Sequence, residues 1–260
     1  MKFNIKDIEF SRYDKWRNIK IPEKLTPELA ELIGIIMGDG NITMKNQRYI
    51  ITIFGDLIED SDYHQNYVTT LFKNLFNINP LLKKKIFGEK GNCRIMITRS
   101  KAITSFFVNI IGLPNGKKDF LRVPKFIFKS DKNIIYKFLR GLADTDFTIK
   151  FKTRYGKKNY YPIIIGNFSC KEFVNNLKNL LKKINFHSHI ENRKKYDKKR
   201  NKIYRTSAVN IVGIKNTKKW MKEIGFANKR HIMRYNVWKK LGYCPPYTNI
   251  RKAELILKKR

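Results

Sequence analysis

Apolar positions recur along this chain at two spacings, and the change from one to the other predicts its elements. Between Leu29 and Met37 apolar side chains run almost unbroken, with Ala30, Gly34 and Gly38 four residues apart. Thr26 supplies an N-cap, Pro27 a first helical position and Glu28 a favourable first-turn charge, so a helix is predicted from there to about Gly38. A twin helix begins near Asp131. Residues 48–54 and 93–99 are β-rich runs bounded by turn residues, with the turn signal "FGEKGN", Phe87 to Asn92, before the second. Between them, Asp62 to Phe76 places Tyr67, Leu71, Leu75 and Phe76 at helical spacing. The second half offers strands near 147–155 and 161–166, a helix near 170–184, and strands around 187–195 and 203–212. Each half is thus a helix, a strand pair, a helix, a strand pair and a helix.

The halves also match residue by residue. "LIGIIMGDG", Leu32 to Gly40, aligns with "LRGLADTDF", Leu139 to Phe147, setting Gly34 over Gly141 and Asp39 over Asp146, each pair 107 residues apart. Downstream, "YIITIFGD" from Tyr49 matches "YPIIIGN" from Tyr161, and "RIMITRSKAITSFFVNIIG" matches "AVNIVGIKNTKKWMKEIG" with Lys101 over Lys215. Such self-similarity marks an internal duplication. No linker rich in Pro, Gly or Ser separates the copies, so they are expected to pack as one pseudo-symmetric unit. The expected segments are an N-terminal extension (1–24), a first repeat (25–130), a second repeat (131–230) and a C-terminal helical extension (231–260).

These two nonamers in duplicated contexts resemble the paired motifs of the monomeric two-motif LAGLIDADG homing endonucleases, over roughly residues 25 to 240. The resemblance implies an α+β fold: a duplicated αββαββα LAGLIDADG fold, a pseudo-two-fold saddle whose antiparallel sheets enter the DNA major groove. It implies a site-specific double-strand DNA endonuclease acting as a monomer. The residues agree with that reading. The stripe Ala30, Gly34, Gly38, and a shorter one at Gly141 and Thr145, let two helix backbones approach closely, bringing Asp39 and Asp146 out side by side. A carboxylate at a helix C-terminus opposes the dipole, at about 0.3–1 kcal/mol each, and two carboxylates repel. Hard divalent cations remove both penalties and leave room for phosphate oxygens. Mg²⁺, as two or more ions, is therefore expected at Asp39 and Asp146, with Gly38 and Thr145 as further ligands by family analogy. The same analogy makes Lys101 and Lys215 catalytic cations. One departure is Phe147 where the family has glycine, which suggests an altered strand entry or a shifted carboxylate; Asp144 is a further acid, but two residues before the matched position it is expected to face elsewhere.

Charge narrows the partner. Fifty-six Lys and Arg against 21 Asp and Glu give a formal net charge of +35, a self-repulsion that a polyanion relieves. Lys150, Lys152 and Arg154 alternate with Phe151 and Thr153, so a strand there points three cations to one face, suited to guanine edges in a major groove. "ENRKKYDKKRNKIYR", Glu191 to Arg205, forms a basic hairpin tip in which Arg193, Lys194, Lys195, Lys198, Lys199 and Arg200 grip phosphates. Cys93, Cys170 and Cys244 are far apart and form neither a disulfide framework nor a zinc site. The start lacks a signal peptide's apolar core, and no apolar stretch is long enough to span a membrane, so a soluble cytoplasmic protein is expected. The chain starts at Met1 and ends "LILKKR" without a His-Asn junction, so an excised intein is not expected. Two rivals keep the scaffold: an RNA-binding intron maturase, and a catalytically silent DNA-binding regulator.

Overall fold

Thr26 Oγ1 accepts a hydrogen bond from Leu29 N at 3.2 Å, so the first motif helix starts where its capping residues require. The computed structural model describes residues 1–86, 92–197 and 201–259. Its first half runs α1 (Arg12–Trp16), α2 (Pro27–Asp39), β1 (Gly40–Lys45), β2 (Arg48–Asp56), a π-wound stretch (Tyr63–Val68) continuing into α3 (Thr69–Phe76), β3 (Leu81–Ile86), β4 (Asn92–Arg99), and α4 (Lys101–Ser105) with a π-wound continuation (Phe106–Ile110). A short α5 (Lys125–Lys129) follows. The second half runs α6 (Lys132–Asp146), β5 (Phe147–Arg154), β6 (Lys157–Phe168), α7 (Lys171–Lys183), β7 (His189–Asp197), β8 (Lys202–Val212) and α8 (Ile214–Glu223), followed by α9 (Lys229–Leu241) and α10 (Ile250–Lys258). The expected turn at Phe87 to Asn92 lies outside the described residues up to Asn92, which opens β4.

Both sheets are antiparallel and share one order, β1-β2-β4-β3 and β5-β6-β8-β7, so the duplication seen in sequence is a duplication of topology. The first hairpin of each is closed by two residues at positive φ, Asn46 and Gln47 in one, Tyr155 and Gly156 in the other. That is the primed turn geometry matching strand twist. Strand alternation gives each sheet a helix-covered side, with Ile51, Ile53 and Met96 buried in the first and Phe147, Ile149 and Ile164 in the second.

The chain forms two compact units: Met1–Lys118, Pro124–Thr145 and Ala227–Lys229 in one, Asp119–Val123, Asp146–Phe226 and Arg230–Arg260 in the other. The second motif helix, up to Thr145, therefore belongs with the first sheet, so the units cut across the repeat boundary near residue 130. In the first unit Leu29, Ile33, Phe72, Phe76, Phe106 and Phe138 are buried; Phe72 fills the core position the helical spacing had left unnamed, while Leu75 is half-buried. The N-terminal segment joins this core through Phe3, edge-on to Phe106 and Phe126. In the second unit Phe147, Phe173, Leu177 and Trp220 are buried. Its C-terminal helices brace the first hairpin from the covered side: Trp238 lies along Phe151 at 6.1 Å and donates its indole N–H to the Tyr160 carbonyl at 2.7 Å. The three cysteines are free thiols. Among the described residues no helix is long and apolar enough to cross a membrane.

Candidate functional site

The two motif helices touch backbone to backbone. A Cβ on Gly34 would run into the Phe138 carbonyl oxygen and lie 2.8 Å from Leu142 N; one on Gly141 would run into the Glu31 carbonyl oxygen and lie 3.1 Å from Ile35 N. Only glycine permits this approach. A buried polar clasp adds to it. Arg140 donates Nε to Glu31 Oε1 at 2.6 Å and Nη2 to Oε2 at 2.7 Å, while Tyr67 donates its hydroxyl to Oε1 at 2.8 Å. Burial raises the Tyr67 pKa, and the Glu31 carboxylate raises it further. For Arg140 burial works the other way, yet the hydrogen bonds and charge of Glu31 outweigh it and hold the guanidinium charged. Such a two-point pair fixes orientation as well as contact.

Each helix ends in a half-buried aspartate followed at once by a strand: Asp39 then β1, Asp146 then β5. At the first junction a Cβ on Gly40 would lie 2.6 Å from Ile36 Cα, so the chain turns out of the helix too tightly for any side chain. At the second, Phe147 is accommodated without moving the junction. In register, Gly40 faces Ile53 and Phe147 faces Gly166, so side chain and glycine have exchanged strands. The Phe147 ring covers Gly166 and stacks on Trp220 at 6.1 Å. Helix and strand meet at the same residue in both halves, but a backbone that admits the Phe147 Cβ differs from the one at Gly40, where no Cβ fits.

Asp144 faces inward. Fully buried, it accepts from Ala227 N at 3.0 Å and Asn228 N at 2.9 Å, and Asn228 in turn donates to Asp60 at 2.7 Å. Burial pushes its pKa up to about 7 against the pull of those two N–H donors. It latches Ala227 and Asn228 to the motif helix and offers no compensating carboxylate at the helix end.

The lysine that reaches the end of α2 is one that sequence reasoning missed. Lys118 Nζ donates to the carbonyls of Ile36 at 3.2 Å, Met37 at 2.8 Å and Gly38. A cation there offsets the negative end of the helix. Its loop is laid along β1: Asn115 accepts from Met44 N at 2.8 Å and donates to Met44 O at 2.9 Å, and Gly116, at φ 88°, donates to Ile42 O at 2.8 Å. The only local signal was Asn-Gly before the lysine pair, which marks a turn without saying where the turn docks. Lys101 is elsewhere: its ammonium is ion-paired with Glu9 and lies 5.7 Å over the Tyr49 ring. Lys215 is exposed at the second position of α8.

Asp39 and Asp146 present hard oxygen donors, and among the described residues no group of three or more His, Cys, Asp or Glu side chains could hold a metal ion. A divalent ion at these helix ends would therefore take its remaining ligands from carbonyls, water and phosphate. The Gly38 carbonyl is already engaged by Lys118, and the Thr145 hydroxyl turns back to Gly141 O and Leu142 O.

On the second sheet Lys150, Lys152 and Arg154 are exposed, on the side opposite Phe147 and Ile149. A register shift between Lys152 and Arg154 breaks the strict alternation, and Arg154 lies over the rings of Tyr155 and Tyr161 at 4.9 and 4.6 Å. Arg193 is bonded twice to Glu191, at 2.9 and 2.8 Å, and Lys194 is exposed. Lys195 is paired through its backbone with Tyr204, while Lys198, Lys199 and Arg200 lie outside the described residues. The first sheet presents Arg48, Thr52, Arg99, Lys83 and Lys85 on its uncovered side, by register with Ile50, Ile97 and Ile95. Sequence reasoning named none of these.

A model of the LAGLIDADG-like domain matches residues 133–225. The replication factor C small subunit of Methanocaldococcus jannaschii is 25% identical over 236 residues, covering 86% of this chain and 11% of that protein. This chain spans about a tenth of the length of the curated relatives it matches. Among solved structures, the LAGLIDADG homing endonuclease I-GzeII in complex with its DNA target has a TM-score of 0.52 at 13% identity, covering 84% of this chain and 90% of that one. I-DmoI in complex with DNA and Mn has a TM-score of 0.50 at 15% identity, covering 78% and 98%.

Proposed function

We propose that this chain, a two-motif member of the LAGLIDADG family, is a site-specific endonuclease that hydrolyses both strands of duplex DNA with divalent metal. The observation that carries the reading is the glycine-to-glycine contact of two motif helices, each delivering an aspartate to a helix–strand junction. A buried core gains nothing from a carboxylate at each of those ends, whereas a phosphodiesterase needs them. I-DmoI was solved in complex with DNA and Mn.

In this chain Asp39 and Asp146 would hold the metal, with water and phosphate oxygens completing its ligands. A bound divalent ion there supplies positive charge to the scissile phosphate and acidifies the attacking water. We assign the cation beside the first acid to Lys118 in place of Lys101, because Lys118 already reaches the carbonyls of the preceding turn. Lys215 keeps that role in the second half. Lys150 and Lys152 would read base edges, with Arg154 held over Tyr161 beside them. The basic β7–β8 hairpin would grip phosphates, which position a protein without reading sequence.

The test is cleavage of a randomised duplex library with Mg²⁺ and with chelator. Metal-dependent enrichment of one cut site is expected. Sequence-selective duplex binding without cleavage would move the silent regulator ahead, and tighter, selective binding to intron RNA than to any duplex would favour the maturase.

A further inference from the structure

The N-terminal segment adds an aromatic margin to the uncovered side of the first sheet. Helix α1 has five residues, yet it is firmly held. Ser11 and Asp14 cap it reciprocally, with Asp14 N to Ser11 Oγ at 3.1 Å and Ser11 N to Asp14 Oδ2 at 3.0 Å. The buried Asp14 carboxylate also accepts from Lys101 N at 3.1 Å and Ala102 N at 3.2 Å, and Arg17 donates to the Arg99 carbonyl at 3.0 Å. The helix is thereby fixed on the corner between β4 and α4.

So anchored, α1 points its aromatic residues outward. Trp16 is 78% exposed and Tyr13 71%, whereas Trp220 and Trp238 are buried at 0% and 7%. Among the described residues the Trp16 ring stacks on no other ring and has no cation over it. It borders an open cleft of about 980 Å³ whose floor carries Arg17, Arg48, Tyr49 and Arg99. No carboxylate lines this cleft, and neither Arg48 nor Arg99 is ion-paired among the described residues. Arg48 and Arg99 both stand on the uncovered side of the first sheet, where Arg99 lies opposite Ile50.

An exposed indole on an anchored helix, beside unpaired guanidinium groups, fits one class of partner well. Every nucleobase offers a π-face, but a duplex hides those faces within its stack, so a side-facing indole is of use only to an unpaired base. Arginines lining the same cleft then meet the flanking phosphates. We propose that the cleft beside α1 is a second nucleic-acid site, selective for single-stranded segments, in which one unpaired base stacks on Trp16 and its neighbouring phosphates rest on Arg48 and Arg99. The proposal requires neither motif aspartate, and through Arg48 and Arg99 it adds a single-strand function to the uncovered side of the first sheet.

Because Trp16 is the exposed one of the three tryptophans, acrylamide quenching of the full-length protein reports on this cleft directly. The probes are a mixed-sequence single-stranded DNA, the RNA of the same sequence, a blunt duplex and polyglutamate. The single strands should shield Trp16 while the duplex and polyglutamate leave it quenched; whichever of DNA and RNA binds more tightly identifies the source. Trp16→Ala should lower single-strand affinity by roughly 5- to 100-fold while duplex affinity changes little, with Trp16→Phe retaining most of it. Arg48→Gln with Arg99→Gln should reduce the single-strand salt slope by about 0.7 per lost phosphate contact. Equal loss of single-strand and duplex binding in Trp16→Ala, unshielded Trp16 with single strands, or equal shielding by polyglutamate would each overturn the proposal. Duplex cleavage, followed in parallel, would fail independently if the endonuclease reading were wrong.

Discussion

Asp39 and Asp146 carry the clearest demand at the scale of single residues. Asp39→Asn and Asp146→Asn should each abolish double-strand cleavage while leaving folded protein that still binds duplex, as checked by cleavage and gel-shift assays together. Full cleavage by either variant at unchanged metal dependence would remove that acid from the site. The two lysines of the first half separate just as sharply. Lys118 reaches the carbonyls at the end of α2, whereas Lys101 is bound to Glu9. Lys118→Met should therefore slow single-turnover cleavage by about 10²-fold, and Lys101→Met by much less. The reverse order would restore Lys101. Phe147 teaches the same lesson from the packing side: read alone it looks like a defect in the motif, but with Gly166 opposite it is an exchange of bulk between neighbouring strands.

Among the elements, the motif helices are joined by more than their glycines. The clasp of Arg140, Glu31 and Tyr67 spans them, and Asp144 ties α6 to Ala227 and Asn228. Asp144 has a consequence for stability. Its folded pKa is raised to about 7, above the ordinary aspartate value of 3.8, so between those values the folded state holds a proton that the unfolded chain has lost. Stability is then highest below about pH 4, falls as pH rises toward 7, and levels off above it, as far as this group is concerned. Asp144→Asn cannot ionise yet can still accept from Ala227 N, so it should flatten this slope. Urea midpoints of both proteins at pH 5.5 and 8 check it; an equal fall in the variant would exclude Asp144 as the cause.

For the molecule as a whole, the excess of Lys and Arg makes association with nucleic acid depend on salt. Neutralising Lys194, Lys195, Lys198 and Lys199 together should reduce the slope of log affinity against log salt by up to about 0.9 per lost phosphate contact on duplex DNA, for specific and nonspecific duplexes alike. Changing Lys150, Lys152 and Arg154 should instead alter which duplexes are preferred. Salt titrations and a binding selection on both variants make the comparison. An unchanged salt slope in the first would refute the basic hairpin as a phosphate grip.

By itself the sequence determined the kinds of element, their order and their duplication, because helical and strand periodicity, caps and turns act over a few residues. It also determined which acids end the motif helices, since the nonamers carry them, and the charge excess that a polyanion would relieve, since net charge needs no fold. Only the tertiary structure decided which side chains meet. Lys118 reaches Gly38 across 80 residues of chain and Lys101 reaches Glu9 across 92, and no local pattern encodes such pairs. The same holds for α1, whose sequence says little until Asp14 is seen to fix it on the start of α4. Propensity is a property of neighbours along the chain, whereas a site is assembled from neighbours in space, and their meeting is fixed only when the backbones have packed.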